Sequence, residues 1–582
     1  MQTKENIDNI PHSLAHLLAA SVLHKFPDTK LGIGPVIENG FYYDFLFKKP
    51  ITPEMLPELE KYMRHLIGQK LPFSGKKVTP AAAKKLFANQ KFKLDLIKDL
   101  VKEKKPLTVY STGEIFQDLC KGGHVKDTSE INPEAFKLTH LAGAYWKGSE
   151  KNAQLTRIYG VAFETKQELD EYLKMQEEAK KRDHKILGPA LDLFTFSDLV
   201  GSGLPLWTPK GTLLRDLLDN FVWELRKIRG YERVDIPHIT KKELYERSGH
   251  WDKFKDELFK INTREGHLFA MKPMNCPHHI QIFQRKPWSY RELPVRYAST
   301  TKCYRDEQTG ELSGLSRARS FTQDDAHVFC RESHAEEEML KIWDIIETFY
   351  GAFGFKLRVR LSLHDPKHRE KYLGTPAVWK MAESKLRAVV QHRKAEIFES
   401  IGEAAFYGPK LDFLAKDSLG REWQVATIQF DVNQPERFDL TCINENGKPE
   451  RIYMVHAAIM GSIERFLSVL IEHFAGAFPV WLAPVQVRIL PVSDKFMEYA
   501  NGVKRVLEEK NIRVELPAAD ETLGKRIRQS ELDKIPYTLV VGEKEMTAKT
   551  VNVRSLKGGT PTEVSIENFL EKIVMEIQNK SF

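Results

Sequence analysis

Apolar residues recur at helical spacing in HSLAHLLAASVLHKF (12–26), which places Leu14, Leu17, Leu18 and Val22 on one face. The pattern predicts an amphipathic helix. LGIGPVIENGFYYDF (31–45) reads instead as strand, turn and strand, with Gly40 at the turn. KQELDEYLKMQEEAKKRDHK (166–185) has few apolar positions and reads as a charged linker helix at a domain boundary. Behind it the chain turns rich in Gly and Pro, then resumes with an amphipathic helix over Leu213 to Ile228, stopped by Gly230. YERVDIPHI follows as a short strand ending near Pro237. Leu293 to Glu307 and Ser320 to Cys330 read as two strands joined by the polar loop QTGELSGLSRAR. An antiparallel hairpin there is expected to set Arg305 beside Arg317 near its turn. A helix (Glu336 to Tyr350), a strand (Phe355 to Leu363) and a further strand in REWQVATIQFDV (421–432) come next; Gln424, Thr427 and Gln429 are expected to face a pocket. Gly461 to His473 is helical, with Ile463, Phe466, Leu467 and Leu470 apolar. From Val485 strands and helices alternate at short intervals, which predicts a small α/β domain.

The length of 582 residues exceeds one ordinary core, so three or four domains are expected. Hydrophobic residues at 42% and charged residues at 29% exclude a globally disordered chain. A net charge of +8 is compatible with a polyanionic partner and equally with an ordinary basic enzyme. Five scattered cysteines do not form a disulfide framework, which points to a reducing, cytoplasmic setting. The most apolar neighbourhood, 466–487, contains Glu472, His473 and two prolines and fails as a membrane span. Residues 84–105 carry eight lysines against three acids, a run that suits either an RNA backbone or a solvated helix face.

Candidate chemistry collects in two places. His12 and His16 share a helical face, and CKGGH repeats the four-residue spacing with Cys120 and His124, just after Asp118. Together they offer four zinc-type ligands or a set able to position water. Between Met271 and Cys330 lie Cys276 and His327, a thiol and an imidazole suited to zinc, and Arg305, Arg317 and Arg319, whose planar forks suit phosphate. Neither a GxxxxGK[ST] loop nor a Rossmann GxGxxG is present, so any ATP is held in another way.

The segments MKPMNCP, CYRDE…FTQDDAH, FYGPKLDF and HAAIMGSIERF, with residues spread over essentially the whole chain, resemble the threonyl-tRNA synthetases among class II aminoacyl-tRNA synthetases. The resemblance implies an α+β multidomain protein: a class II antiparallel-sheet catalytic core (186–484), an N-terminal α+β editing domain (1–165), a linker helix (166–185) and a C-terminal α/β anticodon-binding domain (485–582). It implies Zn2+ on Cys276, His327 and His456. It implies ATP with Mg2+ at Arg305, Glu307, Arg317, Phe321, Gln323, Gln424, Thr427, Ser462 and Arg465, with Phe321 stacking on adenine. L-threonine would be surrounded by Met274, Asp325, Tyr407, Lys410 and Gln429. His12, His16, Cys120, His124 and Asp118 would edit, and Glu545 and Arg554 would read the tRNA(Thr) anticodon. A cytoplasmic homodimer joined through the 213–237 helix and strand is expected. The family often begins with a ubiquitin-like domain, and this chain starts almost at the editing helix. His278 stands where the family usually has Gly, and Ala457 where it usually has Arg; both flank zinc ligands. A non-catalytic RNA-binding regulator and a serine or proline specificity are the competing readings.

Overall fold

The computed structural model describes residues 4–149 and 151–580. They divide into two compact units, 1–177 and 178–582. The division falls inside the charged helix Lys166–Arg182, which ends three residues short of the expected linker; a second helix, His184–Ala190, begins after the capping Asp183.

In the first unit the helix Lys4–Lys25 extends well upstream of its amphipathic pattern. Leu14, Leu17, Leu18 and Val22 are all fully buried, as their spacing requires, against Phe41, Tyr43 and Phe45 of the strand Gly40–Leu46. Gly40 is needed there because a Cβ would lie 2.1 Å from the Gly160 carbonyl oxygen of the neighbouring strand Gln154–Ala162. A second, three-stranded sheet (Phe73–Lys77, Thr108–Thr112, Phe116–Leu119) carries Asp118 towards the long helix. The lysine-rich stretch is not one helix. It is split into Pro80–Leu86 and Lys91–Lys102, and one of its lysines, Lys93, points inward and is buried.

The second unit is built on an eight-stranded sheet that is antiparallel except at two pairs near its edges. Its middle is the hairpin Val295–Tyr304 and Ser320–Cys330, followed across the sheet by Tyr453–Ala458, Glu422–Asp431 and Lys410–Lys416. The register pairs Tyr304 with Ser320, and the Arg305 N–H donates to the Arg319 carbonyl. Arg305 therefore lies opposite Arg319 and not beside Arg317, which corrects the clamp expected from the hairpin alone. The ladder ends at Tyr304, so the loop begins earlier than the sequence pattern implied. The helices Pro209–Lys227, Ala335–Gly351 and Ile463–His473 enclose the core, with Phe349 in ring contact with Phe221, Phe353 and Phe466.

Residues 487–578 form a five-stranded sheet of which the first three strands in spatial order are parallel and the last two antiparallel. A short helix, Glu543–Ala548, was not foreseen. No helix among the described residues is long and apolar enough to cross a membrane.

Candidate functional sites

The hairpin and the strand Tyr453–Ala458 pair so that His327 and His456 stand directly opposite each other. Cys276, at the start of the helix Cys276–Phe283, brings its thiol to the same point; the three ligand atoms lie within 4.8 Å of one another. His456 turns Nε2 to the Asp431 carboxylate at 2.8 Å, and His327 turns Nδ1 to His279 Nδ1 at 2.8 Å. This leaves His327 Nε2 and His456 Nδ1 facing each other at 3.0 Å. Outer partners that orient two imidazoles so that their free nitrogens converge beside a thiol are the arrangement a zinc site requires. Burial holds His327 below its ordinary pKa and pushes the Cys276 thiol up, so the His327 imidazole is kept neutral beside a thiol whose charge a cation would stabilise.

The surrounding residues were partly anticipated. Asp325 is buried and accepts from Asn275 Nδ2 at 3.2 Å; burial pushes its carboxyl up to about 6, against the opposing influence of His456 and of the Asn275 bond. Tyr407 stacks on His456 and donates its hydroxyl to Gln429, and Lys410 bonds Asp412 at 2.8 Å. Met274 Sδ lies 3.6 Å from the Arg305 guanidinium. Sequence reasoning missed His250, whose Nε2 is 3.5 Å from Cys276 Sγ, and the buried chain from Thr301 through Lys272 and Asn275 to Asp325. None of these has a diagnostic spacing, and within MKPMNC only Met274 and Cys276 stand out from the sequence.

Next to this cluster Arg305 lies against the rings of Phe254 and Phe321, 5.0 and 5.2 Å from their centres, and its buried Nε has no partner among the described residues. Arg317 is held by Glu307 at 2.6 Å and by Glu311 at 3.1 Å. A register shift at Phe413/Leu414 leaves Val425 as an extra residue on its strand. That bulge brings Gln424 to the face of Thr427 and Gln429 despite their unequal spacing, and Gln424 bonds the buried Asp412 at 2.8 Å. Thr427 Oγ1 is buried without a partner among the described residues. Ser462 caps the helix Ile463–His473 by accepting from the Arg465 N–H, and it bridges to Gln323 through the backbone. Arg465 is exposed and reaches over Trp423.

In the first unit His12, His16, Cys120 and His124 converge as a second group with ligand atoms within 4.8 Å. Cys120 Sγ lies 3.4 Å from His12 Nε2 and 3.2 Å from His124 Nε2. The Gly123 carbonyl 3.2 Å from His12 Nδ1 requires a proton there, which leaves the Nε2 lone pair towards the thiol. Ser13 donates to the Asn9 carbonyl and so can accept from His124 Nδ1, which directs the lone pair of His124 the same way. Burial lowers all three histidines, His124 to about 2, and pushes Cys120 up to about 11. Asp118 does not join the group directly. It is buried under Tyr43 at 2.5 Å and Lys93 at 2.5 Å, two partners the sequence did not reveal.

In the last domain Arg554 is exposed on the strand Thr550–Ser555, and Glu545 accepts from the Gly542 N–H at 3.0 Å, capping its own helix.

Comparison with known proteins agrees with this anatomy. Residues 259–474 match the class II tRNA synthetase core domain of the G, H, P, S and T group, 486–576 an anticodon binding domain, and 107–159 the threonyl and alanyl tRNA synthetase second additional domain. The threonine–tRNA ligase of Gloeobacter violaceus is 48% identical over 98% of this chain and 93% of its own length. That of Thermotoga petrophila is 44% identical over 98% and 88%. Among solved structures, the RNA binding domain of threonyl-tRNA synthetase from Cryptosporidium parvum superposes with a TM-score of 0.65 at 36% identity, covering 68% of this chain and 98% of that one. A core, an anticodon-type domain and a second additional domain in one chain, matched nearly end to end by such relatives, make this protein a member of the threonine–tRNA ligase family of class II aminoacyl-tRNA synthetases.

Proposed function

We propose that the chain activates L-threonine with ATP, transfers it to the 3′ end of tRNA(Thr), and hydrolyses seryl-tRNA at the second cluster. The observation that carries this is that one hairpin bears both His327, where it meets Cys276 and His456, and the Arg305–Phe321 face. Cys276, His327 and His456 would hold Zn2+, which, when bound, would supply Lewis-acid binding for threonine's amino group and hydroxyl. Asp325 accepts the hydroxyl's hydrogen bond. Valine has no hydroxyl to offer, and an apolar pocket alone separates such near-isosteres only about a hundredfold.

Phe321 stacks on adenine, while Gln424, Thr427 and Ser462 complete the nucleotide pocket. Arg305 and Arg465 hold the α-phosphate as the threonine carboxylate attacks it and pyrophosphate leaves; negative charge grows there, and fixed guanidinium groups stabilise it without reorganising. Mg2+ accompanies ATP, with Glu307 as its carboxylate partner and Arg317 on the outer phosphates. Tyr407, Gln429, Lys410 and Met274 line the threonine and adenylate side.

Serine keeps the hydroxyl and lacks one methyl, a difference of about 1–3 kcal/mol, too small for faithful charging. The His12, His16, Cys120 and His124 group answers that need. The lone pairs of His12 and His124 converge at Cys120, and the thiol, pushed up by burial, stays protonated and suited to hold a water. We assign 1–165 to editing, 166–185 to the linker, 186–484 to catalysis and 485–582 to the anticodon, with Glu545 and Arg554 as base-reading residues. A cytoplasmic homodimer formed through Pro209–Lys227 and the following strand completes the proposal.

ATP–pyrophosphate exchange tests it. Threonine is expected to support exchange and proline none, with valine at least a hundredfold weaker. Cys276→Ser should remove bound zinc, measured by metal content, together with threonine-dependent exchange. Retention of exchange without metal would sink the recognition role, and absence of threonine-dependent exchange in the parent would sink the whole reading.

A further inference from the structure

His184 is buried where the helix His184–Ala190 starts, and both ring nitrogens are engaged. Nδ1 lies 2.6 Å from Glu472 Oε1, and the His184 backbone N–H donates to the same oxygen at 3.2 Å. Nε2 accepts from the backbone N–H of Leu315 at 3.1 Å. A backbone N–H cannot reverse its role, so Nε2 must present a lone pair and the proton must sit on Nδ1, aimed at the carboxylate. The other Glu472 oxygen accepts from Arg421 at 2.6 Å. Asp183, His184 and Glu472 also form a group of metal-ligand type. With both imidazole nitrogens committed and Asp183 Oδ1 capping Lys185 N at 2.8 Å, this group braces chain segments and has no free lone pair on its imidazole for a cation.

What it braces is the tip of the hairpin loop. Leu315 is sunk in the main core, and Gly314 beside it has φ +53°; a Cβ on Gly314 would meet His184 Nε2 at 2.4 Å. The loop thus passes directly over the ring. Three residues further on the same loop carries Arg317 with its Glu307 partner. Glu472 lies near the C-terminal end of the helix Ile463–His473, whose N-terminal end carries Ser462 and Arg465. At that first end the hairpin is already tied to the helix, because Glu464 accepts from Thr322 N at 2.6 Å and Thr322 Oγ1 at 3.0 Å. His184 supplies the second tie, at the far end of the same helix.

We propose that His184 is a positioning residue for ATP. By joining Leu315 of the hairpin loop to Glu472 of the last core helix, it holds the loop in the register at which Arg305, Glu307 and Arg317 face the nucleotide together with Arg465. This rests on the reading of the hairpin as the ATP site given above. His184 touches no substrate and acts only through the loop. The tie is specific to atoms and not to bulk: a glutamine carbonyl reaches where Nε2 accepts, whereas an asparagine amide reaches only where Nδ1 donates.

The test is ATP–pyrophosphate exchange by the full-length enzyme, with ATP and threonine KM measured separately and thermal stability recorded for each variant. His184→Asn, which keeps the Glu472 contact and loses the loop, is expected to raise ATP KM about tenfold, the worth of one buried hydrogen bond, with threonine KM within about twofold. His184→Gln, which keeps the Leu315 contact through its carbonyl and the Glu472 contact through the backbone N–H of residue 184, is expected to restore most of the ATP KM. Gly314→Ala, which pushes the loop off an intact His184, should raise ATP KM as Asn does, and it serves if the Asn variant does not fold. Parental ATP KM in folded His184→Asn or Gly314→Ala overturns the proposal. So does a rise of both KM values in step with lost stability, the mark of a merely structural residue. Arg317→Ala separates the two layers of argument. If it leaves ATP KM unchanged, the hairpin reading itself fails; if it raises ATP KM while His184→Asn does not, only the role of His184 falls.

Discussion

His278 sits two residues after Cys276, buried, with neither ring nitrogen bonded to a described residue, and its ring meets Tyr245, whose buried hydroxyl is likewise without a partner. Burial lowers His278 to about 4, and lowers His250 and His279 to about 3. An unfolded histidine takes up its proton near pH 6.5, whereas these three refuse it while folded. The unfolded state therefore binds more protons below pH 6.5. The stability these neutral rings share in is whole above that pH and falls as pH drops towards 4, at about 1.4 kcal/mol per pH unit for each histidine. Urea unfolding of the second unit, followed by tryptophan fluorescence at pH 7.5, 6 and 5, is expected to show this decline. His278→Leu fills similar space without a polar atom, so it should be no less stable at pH 7 and should flatten the decline by one histidine's share. An unchanged slope would locate the lost stability elsewhere. Ala457 is buried beside His456, and nothing in the structure explains why a small residue stands there.

At the scale of elements, each site is a meeting of segments distant in the chain. The helix Lys4–Lys25 supplies His12 and His16, while the turn after Phe116–Leu119 supplies Cys120 and His124. Because the helix face that holds Leu14, Leu17 and Leu18 is wholly buried, its neighbouring histidines are fixed with it. His12→Ala combined with His16→Ala is expected to leave threonine charging within about twofold and to let seryl-tRNA accumulate, read as serine attached to tRNA(Thr) in a charging assay. Misacylation as low as the parent's would show that hydrolysis uses other groups. The bulge at Val425 has the same kind of role in the catalytic sheet, where it brings Gln424 into line with Thr427 and Gln429. Strand alternation alone places Gln424 on the opposite face, so the three share one face of the sheet because of the bulge and not because of the period-two rule.

For the whole molecule, the first unit has its own core around Leu14, Phe41 and Ile158, and the second has a larger one around Phe349, Ile428 and Leu467. Separate cores predict at least two calorimetric transitions. Leu17→Ala, at a fully buried position of the first core, should cost that unit about 2–5 kcal/mol and lower its transition alone. A single transition that moves as a whole would mean the units unfold together.

Periodicity and family motifs in the sequence were enough to determine the helices with buried stripes, the strands of the hairpin, the class II core with its flanking domains, and the trio Cys276, His327 and His456 that the fold brings together. Such features depend on spacing within a segment or on motifs that survive without context. Tertiary structure alone decided that Lys93, one lysine in a solvated-looking run, lies under Asp118, and that His250 and Asp431 stand behind the metal-type trio. It decided too that Arg305 faces Arg319 and two aromatic rings while Arg317 turns to Glu307. A charged or imidazole side chain has the same local pattern whether it meets water or a partner. Which one it meets depends on the desolvation cost and on the group that offsets it, and that group is brought near only when segments far apart in the chain pack together.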